Sequence, residues 1–487
     1  AQAVDVSADG TVFTFTLREG MRWSDGEPFT ADDVMFWYEG IFLNDELNPA
    51  KPSWLTSAGE PVAVEKVDDH TVTFTFTEPS GLFLANLASD GDMITRAPKH
   101  YLEQFHKKYN PDADSLAKDA GLDSWIDLIA QKQNQWTNPD QPTLAPWMVT
   151  TALGDGDAVI VDRNPYYWKV DEDGRQLPYI DRCRVEVLQD VEVELLKVMN
   201  GEYHMQYRNF GTPQNKPLVA ENRESGGYEL FDVATDLTNA MIIGFNQTHP
   251  DPATRELYQN LDFRVGLSHA IDRQEIIDAV YAGQGVPWQC APSEDSPYYN
   301  EQLATQYLEF DEAKANEHLD AAGLTERNGD GIRLRADGKP VAFNVLVATD
   351  FPDHVEAMEM VKKRWRAVGV DMRTDPVAES LYKERVYANQ HDAGVWTGGS
   401  FDVPTGTGGN HYFVPSNSGS ARQGPQWAKW YESKGAEGEV PPPAVKKQIE
   451  TFTAMRHEGD PDKALALAEQ VLQMAADQFY YIGTCTA

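Results

Sequence analysis

Between residues 343 and 396 the chain switches repeatedly between two periodicities, and this alternation constrains its fold more than any other feature. FNVLVA at 343–348 is a compact apolar run, 354–367 repeats apolar side chains at helical spacing up to Gly369, and 370–374 reads as a strand again. A helical pattern over 380–388 and a strand over 393–396 complete the series. Strands interleaved with helices cannot be joined by tight hairpins, so the segment predicts βαβ units and a parallel or mixed sheet packed between helices. Strand ends in such sheets open toward ligand crevices. Trp396 closes the last strand, directly before a Gly/Ser/Thr/Asn-rich stretch at 398–424 that is long enough to be functional. A flat ring there offers a stacking face for a sugar or a peptide. Trp288 and Trp427, both read as loop residues, are secondary candidates.

Upstream the pattern is different. Residues 12–17 alternate Thr with aromatic and aliphatic residues as a half-buried strand does, and a turn at Ser24-Asp25-Gly26 follows. Thr30 stands three residues before Asp33, a capping-box spacing, and the helix beyond it places Val34, Trp37, Tyr38 and Ile41 on one face. That face asks for burial, so Trp23 and Trp37 are expected in the core. A second Thr/Phe alternation at 64–76 predicts a second hairpin of the same kind. Further strands are expected at 158–163, 184–188 and 240–246, with helices at 192–200 and 263–281. The last helix starts at Asp460 as N-cap with Pro461 behind it. The chain thus divides into a mixed N-terminal lobe, a regular α/β lobe from about 246 to 396, and a helical return.

A chain of 487 residues is too long for one ordinary core. Its 77 Asp and Glu against 41 Lys and Arg give a formal charge of −36, which repels nucleic-acid backbones and anionic headgroups. No apolar run approaches the roughly 20 residues of a membrane helix. Cys183, Cys290 and Cys485 form no metal-ligand spacing, and one disulfide among them stays open. No nucleophile elbow, zinc-protease motif or phosphate loop occurs. A glycoside hydrolase remains the rival class, although no carboxylate pair is singled out for it. Glu326, Asn328 and Asp330, with Gly331 at the sixth position and Asp337 at the twelfth, resemble a calcium loop. It has Glu where Asp is usual at one and Asp where a bidentate Glu is usual at twelve, and Asn-Gly-Asp-Gly is also an ordinary turn.

Four segments in order carry a family resemblance: FTLREGMRWSDGEPFTADDVMFWYEGI at 15–41, DRNPYYWKVDEDGRQLPYID at 162–181, MIIGFNQT at 241–248 and DFRVGLSHAIDRQEIIDAVYAGQGVP at 262–287. Together they resemble the bacterial extracytoplasmic solute-binding proteins of family 5, the peptide, nickel and oligosaccharide class that serves ABC importers. The resemblance implies an α/β, two-lobed periplasmic-binding-protein-like fold (class II, cluster C) with an extra subdomain in lobe one. Lobe one would span 1–245 with the subdomain at about 43–150, lobe two 246–397, and 398–487 would return to lobe one. It further implies a monomer without catalytic residues or cofactor, periplasmic or otherwise extracytoplasmic, with permease transmembrane subunits as partners and no nucleic acid. No leader precedes Ala1, so a trimmed chain is expected.

The resemblance also suggests a ligand-binding set: Trp396, Ser400, Phe401 and Asp402 at the crossover, with Asn246, Arg208, Asn209 and Trp288. In peptide-binding relatives an Asp at the crossover pairs with the peptide ammonium. Ser400 stands in that place here, and a neutral hydroxyl cannot replace a buried charge pair unless Asp402 takes over. An oligosaccharide is therefore the expected ligand ahead of an oligopeptide.

Overall fold

The computed structural model describes the chain except Ala50, Ala58, Gln189, residues 208–210, 213–214, 232–236 and 402–409, and Ala487. It is a mixed α/β protein whose contacts divide into two compact units. One comprises Ala1–Asp190 with His457–Gly459, the other Val191–Arg456 with Asp460–Ala487.

In the first unit the two Thr/Phe alternations are neighbours in one sheet, where separate hairpins were expected. The strands Ala3–Val6, Val12–Thr16, Thr71–Thr75 and Ala63–Asp68 lie side by side in that order, all antiparallel. Phe13 faces Phe74 across the central pair, and both pack on Phe83 with ring centroids 4.8 and 5.3 Å away. The shared face buries both alternations at once, which a pair of isolated hairpins could not do. The capping box forms: Thr30 accepts from the N–H of Asp32 in the first turn, and Asp33 accepts the Thr30 N–H at 2.9 Å. After Ala31–Phe36 the helix widens into a π-helical stretch, Trp37–Phe42, because the Gly40 carbonyl takes the His106 ring N–H at 2.7 Å. The widening rotates the expected apolar stripe. Phe36, Trp37 and Phe42 are buried, while Tyr38 and Ile41 are only half-buried; Trp23 and Trp37 sit in the core as expected. A second sheet holds Trp147–Thr151, Ala158–Arg163 and Arg182–Glu186.

The second unit is built on a five-stranded sheet in the order Asp371–Val377, Ala342–Ala348, Ala393–Gly398, Asn239–Phe245, Tyr481–Gly483. The first three run parallel and the last two pair antiparallel, so the expected mixed sheet is present. The helix expected over 263–281 is two helices, Leu261–His269 and Arg273–Val280. The break falls where Asp272 turns its carboxylate onto the Glu275 N–H and caps a new start. Arg264 and Arg273 flank it, both buried and both spent on main-chain carbonyls: Arg264 reaches Gln478 and Phe479, and Arg273 reaches Gly483, Ser268 and Leu308. These bonds tie the helix pair to the C-terminal strand. Phe245, Tyr258, Phe263, Phe343 and Trp365 fill the core beneath the sheet. Trp427, expected in a loop, is buried on the helix Pro425–Glu432. All three cysteines are free thiols, so the disulfide left open by the sequence is not formed.

Candidate functional site

The second unit gathers its chemistry where Ala393–Gly398 ends. Trp396, near the end of that strand, is half-buried, with one part of its ring still open. Phe351 meets it edge-on at 5.1 Å and Tyr382 leans on it at 5.2 Å. The Arg422 guanidinium lies 4.9 Å from the Trp396 ring centre. Arg422 is itself pinned: Nε donates to the Tyr382 hydroxyl at 2.6 Å and Nη1 to the Ser420 carbonyl at 2.9 Å. A ring held on three sides by an aromatic edge, an aromatic face and a cation cannot swing freely, so it presents a preorganised stacking surface.

Beyond the strand the backbone turns at Gly399 with φ +103°, where any Cβ would stand 2.0 Å from Thr238 Oγ1 and 2.8 Å from the Ala291 carbonyl oxygen. Only glycine tolerates that conformation and that approach. The turn carries Ser400 and Phe401 inward; both are buried, and Phe401 packs against Tyr298 at 5.3 Å and Phe413 at 5.5 Å. Phe401 therefore anchors the crossover from inside. Asp402, Arg208 and Asn209 lie outside the described residues.

Two other expected ligand residues are corrected. Asn246 is fully buried, its NH2 group spent on Asn389 Oδ1 and the His391 carbonyl and its oxygen on the Thr248 N–H and hydroxyl. It has no donor or acceptor left for a ligand. Trp288 is buried too, stacked on Tyr299 at 6.2 Å with its indole N–H on the Ala291 carbonyl at 3.3 Å. The calcium-like loop is a turn: Asn328 Oδ1 accepts the N–H groups of Asp330 and Ile332, and Asp337 pairs with Arg335 at 2.7 Å. Among the described residues no group of three or more His, Cys, Asp or Glu is placed to hold a metal ion.

Phe351, Tyr382 and Arg422 were not singled out from the sequence. Tyr382 sits at helical spacing like any core aromatic, and Arg422 is a lone cation in SGSARQGP; neither pattern marks a site. His391, next to this cluster, donates from Nε2 to the Arg422 carbonyl at 2.9 Å, and burial pushes its imidazole down to about 4. The first unit contains a cavity of about 490 Å³ lined by Phe15, Phe29, Phe74 and Trp168 among others, with Arg18 over the Trp168 ring at 5.3 Å.

The sequence profile of the bacterial extracellular solute-binding proteins, family 5 (middle region), matches residues 1–420. The chain belongs to this family. An oligopeptide-binding protein OppA of known structure is 33% identical, with a TM-score of 0.77 over 100% of this chain and 78% of the other. A periplasmic alpha-galactoside-binding protein of Rhizobium meliloti (strain 1021) is 28% identical over 72% of this chain and 50% of its own. The family 5 chain thus spans about half the length of that curated relative. The stachyose-bound periplasmic binding protein MelB of Agrobacterium fabrum C58 shares the fold at 22% identity and TM-score 0.67, covering 100% of this chain and 71% of that one. Relatives of this family 5 chain therefore carry both sugar-binding and peptide-binding names.

Proposed function

We propose that this chain is the solute-binding component of an ABC importer, which captures an oligosaccharide outside the cytoplasm and delivers it unmodified to permease transmembrane subunits. Family membership supports the transport role, and the galactoside-binding relative supports the ligand class. The observation that carries the reading is the braced, partly open Trp396 ring at the end of the parallel strands. Aromatic faces held in place are well suited to the apolar faces of sugar rings, and they pay little ordering entropy on binding. The division into 1–245, 246–397 and 398–487, with a subdomain near 43–150, is part of this reading, as are a monomeric state and a periplasmic or extracytoplasmic location.

Calorimetry against α-galactosyl oligosaccharides and short peptides tests it. Binding without hydrolysis is expected for the sugars, and Trp396→Ala should weaken it roughly ten- to hundredfold, the cost of removing a central aromatic anchor. A sugar response unchanged in Trp396→Ala would remove Trp396 from the site. Sugar breakdown over hours would return the hydrolase class. The second reading, an oligopeptide ligand, is favoured by the 33% identity to the oligopeptide-binding protein. It wins if peptides saturate the protein and sugars do not.

A further inference from the structure

Among the described residues the charge around Trp396 is not balanced. Arg422 is 4% exposed, and no carboxylate among the described residues lies within ion-pair distance of it. Its neighbours are neutral: Tyr382 with its hydroxyl on Nε, the Trp396 and Tyr382 rings, and the main-chain carbonyl of Ser420. A guanidinium has five N–H donors and stays charged at any ordinary pH. Two are spent here, one from Nε and one from Nη1, which leaves one on Nη1 and both on Nη2. Of the two on Nη2, one faces the Nη1 end of the fork and the other the Nε side, so Nη2 stands on an edge that can receive a carboxylate.

The other deeply buried arginines of this unit show that unspent donors are not a general habit of the fold, although Arg264 and Arg273 likewise have no carboxylate among their partners. Arg264 makes four hydrogen bonds to main-chain carbonyls and Arg273 makes three, with a fourth to Ser268 Oγ. Arg333 is bonded to Asp320, to Asn316 and to the Val368 and Leu324 carbonyls. Arg422, with two bonds, is the exception among these four. A buried cation without a counter-charge is costly, and among the described residues Arg422 is offset only by its two hydrogen bonds and the Trp396 and Tyr382 rings. Its neighbour His391 adds no second charge, since burial keeps that imidazole neutral. Lys383 lies over the same ring at 5.9 Å but is paired with Glu379, so Arg422 is the cation there without a carboxylate partner among the described residues.

We propose that Arg422 receives an oxyanion of the ligand, so that the solute is an acidic one whose carboxylate (or equivalent group) sits beside the moiety stacked on Trp396. The inference rests on the reading of Trp396 as a ligand surface. Two sources supply the same chemistry: a uronic acid residue of an oligosaccharide and the C-terminal carboxylate of a peptide. Either would place a planar anion against the Nη2 edge of the fork and a flat or apolar group against the indole.

Matched pairs separate these sources and test the proposal on the full chain. The pairs are an oligogalacturonide with a neutral galacto-oligosaccharide of equal length, and a short peptide with its C-terminal amide. In at least one pair the acid should bind roughly ten- to hundredfold more tightly, the range of a charge-assisted hydrogen bond. Arg422→Gln should abolish that preference, so that the acid and neutral members of the pair bind equally, while its circular dichroism spectrum matches that of the wild type and reports that the variant is folded. Arg422→Lys should keep part of the preference, since it retains charge without the fork. Equal affinity for acid and neutral members in the wild type overturns the proposal, as does a preference that survives Arg422→Gln. If neutral sugars bind through Trp396 with no acid preference, the transport reading stands and this inference alone falls. If none of the four ligands binds, both fall.

Discussion

His391 is a residue whose protonation the fold forbids. Its Nε2–H is bonded to the Arg422 carbonyl, and its buried Nδ1 has no hydrogen-bond partner. A proton added at Nδ1 would be a buried charge with nothing to accept it, beside Arg422 and His249 and only partly offset by Asp392; desolvation dominates and lowers the group from 6.5 to about 4. The unfolded chain binds that proton from about pH 6.5 downward and the folded chain does not. Stability from the neutral ring is therefore complete above pH 6.5 and is lost as pH falls toward 4, by about 3 kcal/mol in all. Denaturant titrations from pH 7 to pH 4 should show the decline, and His391→Gln should lessen it, the remainder coming from other buried imidazoles such as His411, which burial lowers to about 3, and His354. An unchanged slope in the variant would place the acid sensitivity elsewhere. At the same scale, Trp396 was legible in the sequence because it ends a strand before a glycine-rich stretch. Arg422 was not, because its meaning comes from Tyr382, forty positions earlier.

Among elements, the helix start at Thr30 shows local signal and tertiary demand agreeing. Asp33 serves twice: Oδ2 accepts the Thr30 N–H and Oδ1 the Lys99 N–H at 3.0 Å, which fastens the helix Lys99–Leu102 to the capping box. Thr30→Ala should cost about 1 kcal/mol, an ordinary cap. Asp33→Ala should cost more, roughly 2–3 kcal/mol, because it strips two half-buried N–H groups of their acceptor. Chemical denaturation of both variants checks the order; equal losses would mean the Lys99 contact contributes nothing. The cap and the strands at 342–348 and 371–377 were legible because apolar spacing and end residues state them locally. The break after His269 was not, since LSHAIDR keeps helical spacing throughout. What breaks the helix is Asp272 capping anew while Arg273 reaches Gly483, a partner 210 positions away. The π-helical widening at Trp37–Phe42 was hidden for the same reason, its cause being the distant ring of His106.

For the molecule as a whole, charge sets a competition that salt can decide. Most ion pairs are at the surface, such as Arg175–Asp173, Lys107–Asp114 and Lys383–Glu379, and each contributes between zero and about 1 kcal/mol. Against them stands the self-repulsion of a chain with formal charge −36. Salt weakens both, but the repulsion acts over many pairs at long range, where a Debye length of about 30 Å at 0.01 M shrinks to about 3 Å at 1 M. The melting temperature should therefore rise between about 10 mM and 0.5 M sodium chloride, screening ranges being those just given. A fall would show that the surface pairs outweigh the repulsion.

The pairing of Asn239–Phe245 with Tyr481–Gly483 carries a consequence for how the second unit comes into being. The ribosome completes one of these strands more than two hundred residues before the other. At about 5–20 residues per second the earlier strand waits some tens of seconds for its neighbour. Through that interval Arg264 and Arg273 are already made, while the carbonyls of Gln478, Phe479 and Gly483 that will receive them do not yet exist. Nascent chains of this protein thus carry an unpaired strand edge and two cations awaiting burial until residues 478–483 have been made, and only then can the sheet close.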